Sequence, residues 1–145
     1  ENVASIVGLG VACERAVRDL EAEGARLRAL RDELWERLLA SVPGLALNGH
    51  PVARLPNTLS VRFPAVSGTA VLDGATLVAA STGSACHAGH EQASPVIVAM
   101  GVPASAALGS VRLTLGRGTT REDVDRAVTD LAASWRALAP GPPVA

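Results

Sequence analysis

Cys86 stands in the run Ser81-Thr82-Gly83-Ser84-Ala85-Cys86-His87-Ala88-Gly89-His90, among small, hydroxyl-bearing and glycine residues. A thiol that only fills a core is expected within a periodic apolar element, among large aliphatic side chains. Cys86 instead falls in about a dozen residues without periodicity, a length of loop that tends to form lids or binding loops. It reads either as a nucleophile, given access and nearby positive charge to favour thiolate, or as a passive surface thiol. Ser84 offers a small polar contact beside it. His87 and His90 would handle a proton or face water. With Cys86 they also spell a Cys-His-x-x-His metal reading, which lacks the second, distant ligand pair usual for zinc.

Arg112 is the second chemical candidate. The stretch Ser110-Val111-Arg112-Leu113-Thr114-Leu115 alternates polar and apolar residues, so a strand that buries Val111, Leu113 and Leu115 presents Arg112 on its other side. A guanidinium held there can bind a carboxylate bidentately, or it is a solvated arginine on an open sheet face. Arg62, in Thr58-Leu59-Ser60-Val61-Arg62-Phe63, has the same geometry and reads more strongly as solvated. Cys13 lies in an apparent helix and is assigned to the core as an inert thiol.

The elements that must position these residues follow from pattern. Residues 2–40 are rich in Ala, Leu, Arg and Glu without proline, which predicts a long helix. Leu27, Leu30, Leu34 and Leu38 form its apolar stripe, and the more uniformly apolar first part is expected to pack against something. Strands are predicted at 45–47, 58–63, 77–80 and 110–115. Short helices are predicted at 68–74 and from Ser94-Pro95 to about Met100. A last helix is capped by Thr120 with Asp123 three residues on, and its stripe is Val124, Ala127, Val128, Leu131, Trp135 and Leu138. The fold class is α+β: a small, mostly antiparallel sheet covered on one face by helices, with a long N-terminal helix leading in. The other face, with Arg62 and Arg112, is left polar.

At 145 residues the chain has the size of one domain able to bury a core without disulfides or metal. Residues 1–139 form that domain, with 1–42 as its lead-in helix and the proline-rich 140–145 as a disordered tail. A net charge of −1 and 48% apolar composition argue against disorder and against a general affinity for nucleic acid. No apolar run is long enough to span a bilayer, and two cysteines do not make a disulfide framework, so a cytoplasmic location is expected without membrane attachment. All thirteen basic residues are arginine, and the chain contains no lysine. With Glu1 rather than Met at the start, the chain reads as a piece of a longer protein.

Several separated stretches together resemble the cysteine desulfurases, class V members of the pyridoxal-phosphate aminotransferase superfamily (fold type I). These are the 81–86 run, Glu1-Asn2 through Ile6-Val7-Gly8-Leu9-Gly10, Leu55-Pro56-Asn57-Thr58, and 111–117 before Thr119-Thr120. Cys86-His87, His90, Ser94-Pro95-Val96 and Gly101-Val102-Pro103 are also similar to selenocysteine lyases, a close branch. The resemblance implies the C-terminal small domain of such an enzyme, with the aminotransferase small-domain fold. It implies Cys86 as the nucleophile that takes sulfur from L-cysteine, or acts on L-selenocysteine, leaving L-alanine, and Arg112 as the clamp on the substrate carboxylate. It assigns no firm role to Ser84, His87 or His90.

The implied cofactor is pyridoxal phosphate, whose Schiff-base lysine lies in an N-terminal large domain absent here. The isolated chain is therefore expected to be inactive and to hold no cofactor covalently. The implied partners are that large domain, a second copy in a homodimer and a sulfur-acceptor protein, in the setting of iron-sulfur cluster assembly. The alternative from another class is a stand-alone sulfur carrier or scaffold-docking module.

Overall fold

The computed structural model describes residues 1–83 and 92–139. The chain opens with a 39-residue helix, α1 (Val3–Ser41), whose N-cap Asn2 accepts a hydrogen bond from the Ser5 amide. At 1.5 Å rise per residue it is about 58 Å long. Only its second half is built into the domain, through buried Leu30, Arg31, Leu34 and Leu38. Residues 1–18 are all exposed. Cys13 is exposed with them, which corrects its assignment to the core: the apolar composition around it faces solvent because no described element reaches that far along the helix.

The sheet follows as β1 (Ala46–Leu47), β2 (Thr58–Arg62) and β3 (Ser110–Thr114), paired antiparallel in the order β1-β2-β3. Ser60 lies opposite Arg112 and Arg62 opposite Ser110. That register puts Leu59, Val61, Val111 and Leu113 on one face, where all four are buried. They join Leu34 and Leu38 of α1 and Val124, Val128 and Leu131 of α5 (Arg121–Leu138) in one core. Burial of such aliphatic side chains stabilises the domain by about 1.5–3 kcal/mol each.

The expected strand at 77–80 is reduced to a single bridge one residue later, between Ser81 and Arg112. Leu77 is exposed, and its amide donates to the Asp130 carboxylate at 2.7 Å. Bonded to α5, the chain there does not run along β3.

Three short helices complete the fold: α2 (Gly68–Gly74), α3 (Pro95–Ala99) and α4 (Ala104–Ala107). Close backbone approach positions the start of β3. A Cβ on Gly109 would collide with the Phe63 carbonyl, and one on Gly68 with that of Ser110. At the far end of β3, Arg26 of α1 reaches across to hold the turn. Its guanidinium donates to the carbonyls of Thr119 (2.8 Å), Arg117 (2.9 Å) and Gly116 (3.2 Å). The cap of α5 is complete: Thr120 and Asp123 bond reciprocally, and Leu138, expected in the buried stripe, is exposed at the helix end.

Candidate functional site

Arg112 lies on β3, an outer strand of the sheet, yet its backbone is paired on both sides. On one side it is paired with Ser60 of β2; on the other it exchanges backbone hydrogen bonds with Ser81. Its side chain is exposed on the face away from the core, because the alternation of β3 directs the flanking Val111 and Leu113 inward. Ser81 Oγ donates to the Gly83 carbonyl at 2.8 Å and accepts from the Gly83 amide at 3.3 Å. A tight local turn therefore leads out of the bridge.

A pocket of about 230 Å³ opens beside Arg112, lined by Ser60, Thr82, Gly83, Ser110, Val111 and residues 94–97. Gly83 and Ser94 stand in the chain on either side of the stretch that carries Cys86, and both border this one pocket. Ser84, Cys86, His87 and His90 lie outside the described residues. The metal reading based on three of them falls there too; among the described residues no cluster of His, Cys, Asp and Glu could hold a metal.

Among the described residues that line the pocket none is acidic, and the Arg112 guanidinium is the one full charge. The pocket suits the anionic group of a small ligand.

Arg62, the other outward arginine, is committed internally. Its Nη1 donates to the Leu47 carbonyl at 3.1 Å and to Asn48 Oδ1. Asn48 in turn donates from Nδ2 to Ser60 Oγ (3.1 Å) and to Ser110 Oγ (3.2 Å). Asn48 and Ser110 are buried, so the face expected to be open is partly covered and holds an ordered polar network. Sequence reading places Ser60 and Ser110 on the polar face but assigns them no role, and it singles out nothing at Asn48. The only local signal is that both serines share a strand face with an arginine; their convergence on Asn48 depends on the pairing of three strands.

A second buried cluster lies where α1 meets the loop before β2. Arg31 donates to Asp32 (2.9 and 2.7 Å) and to the Leu55 carbonyl (2.7 Å). Arg54 Nη2 lies 3.5 Å from the same carboxylate. Burial, and then the positive charge of Arg31, push the Arg54 pKa down. This pair of guanidiniums on one carboxylate ties the loop to α1 and is not part of the pocket.

Comparison with known proteins bears on what such a pocket is for. A sequence model of the family described as aminotransferase class-V matches residues 1–127. "Cysteine desulfurase NifS" of Azotobacter vinelandii is 45% identical over 133 residues, covering 90% of this chain and 33% of that protein. "Cysteine desulfurase IscS" of Methanosarcina thermophila is 47% identical over 128 residues, covering 87% and 31%. Among solved structures, a NifS-like protein from Rickettsia africae superposes with a TM-score of 0.77 at 28% identity, over 94% of this chain and 35% of that one. Another chain described as a NifS-like protein gives 0.76 at 29% identity, over 92% and 33%. The chain spans about a third of the length of the curated relatives it matches.

Proposed function

The chain belongs to the class-V aminotransferase family, and from that premise we propose that it is the small domain of a cysteine desulfurase. The full-length protein takes sulfur from L-cysteine and leaves L-alanine. The observation that carries this reading is the pocket in which Arg112 meets Gly83 and Ser94, the flanks of the Cys86 stretch. It is supported by the names of the relatives that are 45% and 47% identical.

Arg112 binds the substrate carboxylate through two parallel N–H···O bonds. Fixing that end orients the rest of a small amino acid, which converts an encounter with the nucleophile into a positioned one. The Cys86 thiolate attacks the substrate thiol sulfur; an S–S bond forms, the C–S bond breaks with its electron pair going to the substrate β-carbon, and that carbon takes up a proton to become the methyl group of alanine. Cysteine and an enzyme thiol become alanine and an enzyme persulfide, so atoms balance without an external oxidant or reductant.

The pyridoxal phosphate expected of the family does not fit the residues of this chain. A covalent Schiff base needs a lysine, and the sequence has none. The cofactor and its anchoring residues are assigned to the large domain of the full-length protein, whose further expected partners are a second copy in a homodimer and a sulfur-acceptor protein.

The test uses the full-length protein with L-cysteine, following alanine release and the gain of one sulfur atom on the peptide containing Cys86. Both are expected in the wild type and neither with Cys86→Ser. Alanine production by that variant at the wild-type rate would remove Cys86 from the mechanism.

A further inference from the structure

The network behind Arg112 has a direction, and the direction follows from which groups can only donate. A guanidinium has no acceptor, so the Asn48 atom facing Arg62 must be Oδ1. That assigns the amide without ambiguity between oxygen and nitrogen and turns Nδ2 toward Ser60 and Ser110. An amide nitrogen is a donor, so both hydroxyl oxygens are acceptors in these bonds. Each serine keeps its own O–H hydrogen to give elsewhere, and neither hydroxyl donates to another described residue. Ser110 is buried with its oxygen bonded to Asn48, and among the described residues its hydroxyl hydrogen has no acceptor, which a ligand oxygen would supply. Both serines line the pocket that Arg112 lines, with Ser60 directly across the strand pair from it and Ser110 two residues before it on the same face.

We infer that Ser60 and Ser110 donate their hydroxyl hydrogens to the anionic group of the ligand held by Arg112, and that Asn48 and Arg62 are the positioning residues that turn both hydroxyls toward it. The inference rests on the proposed reading of this pocket as the seat of a small amino acid's carboxylate. The bond from Arg62 polarises the Asn48 amide and, through it, the two hydroxyls. The pocket floor then offers neutral donors beside one guanidinium, so it discriminates a carboxylate from an apolar or amine group of equal size. Pairing with the ligand satisfies the buried serine, whereas a ligand lacking the carboxylate leaves it unpaired.

The experiment measures, by titration of the full-length protein, the dissociation constants of L-alanine and of ethylamine, which is the same skeleton without the carboxylate. Ser60→Ala and Ser110→Ala are each expected to weaken alanine by about tenfold, the effect of losing one hydrogen bond to a charged group, and to leave ethylamine unchanged. Asn48→Asp serves where truncation disturbs the fold. Asp keeps the shape and the bond from Arg62 but presents acceptors to both serines, which then donate to it rather than to the ligand. It should weaken alanine as the double serine variant does, with both hydroxyls still in place.

Alanine binding unchanged in the serine variants and in Asn48→Asp, but weakened in Arg112→Ala, overturns the inference and leaves the Arg112 clamp standing. Equal weakening of alanine and ethylamine in the serine variants also overturns it, since a merely structural role predicts that result. If Arg112→Ala binds alanine as well as the wild type does, or if the wild type binds none, the proposed reading of the pocket falls and this inference with it.

Discussion

Ser81 and Arg112 exchange two backbone hydrogen bonds, from the Ser81 amide to the Arg112 carbonyl at 3.3 Å and from the Arg112 amide to the Ser81 carbonyl at 2.7 Å. With Ser60 paired on the opposite side, the backbone that carries the guanidinium is held from both flanks. The chain runs from the same bridge through Thr82 and Gly83 toward Cys86 in sequence, so the strand that carries the proposed clamp also anchors the start of the segment that carries the proposed nucleophile. A site built on a strand in this way is positioned more tightly than one on a loop.

Arg112→Lys in the full-length protein should therefore leave the fold intact and raise KM for L-cysteine. Lysine keeps the charge but not the planar fork, so one of two charge-assisted bonds is lost, which amounts to about tenfold or more. Steady-state kinetics with an unchanged unfolding transition would support this. A wild-type KM in Arg112→Lys would show that geometry at this position does not matter.

Gly109→Ala should destabilise the domain, against the usual gain from a stiffer unfolded chain. The added Cβ would run into the Phe63 carbonyl, and the backbone cannot retreat without losing the Phe63 amide bond to the Gly109 carbonyl at 2.9 Å. Overpacking against main chain costs about 1–3 kcal/mol. The urea midpoint should fall with the m-value unchanged; a midpoint at or above the wild type would show that the strand start adjusts freely.

What sequence reveals here tracks how local each feature is. The outward placement of Arg112 and Arg62 follows from two-residue alternation, and the Thr120–Asp123 cap from a three-residue spacing; both are present as expected. Features set by contact between distant segments were not legible. Asn48 carries no local signal; only when β1, β2 and β3 are aligned does it bridge Ser60 and Ser110. Leu77 looks like the start of a strand, but Asp130, 53 residues away, takes its amide. Cys13 looks internal because its neighbours are apolar, and that composition does not say whether another element covers them. Cys86, His87 and His90 lie outside the described residues, so the proposed role of Cys86 rests on sequence resemblance, which assigns no firm role to the two histidines.

The α5 cap gives a pH dependence of definite sign. The Thr120 amide, and then its hydroxyl, hold the Asp123 carboxyl below its ordinary value. A carboxylate whose folded pKa is depressed contributes stability that is fully present above its unfolded value of about 3.9 and is lost as pH falls through the lower folded value. Asp123→Asn should lower Tm at neutral pH, and the difference from wild type should shrink as the pH drops through that window. A difference in Tm that stays constant through the acid range would mean that the charge on Asp123 is not what holds the cap.

The first half of α1 presents Ile6, Val7, Leu9 and Leu20 to solvent, each at least 59% exposed, along about 21 Å of helix. Large contiguous apolar surfaces are rarely left open and tend to find a partner. The 145-residue chain in isolation should therefore self-associate, with a sedimentation coefficient that rises with concentration. Ile6→Glu with Leu9→Glu should suppress that rise without changing the core, since neither side chain contributes to the cluster around Leu34, Leu38 and Leu131. In a longer polypeptide that covers this helix, the same pair should instead lower Tm, because two charges would be buried without partners. A monodisperse monomer at every concentration, with the double variant indistinguishable from wild type, would show that the exposed helix is stable in water and that its apolar residues are not an interface.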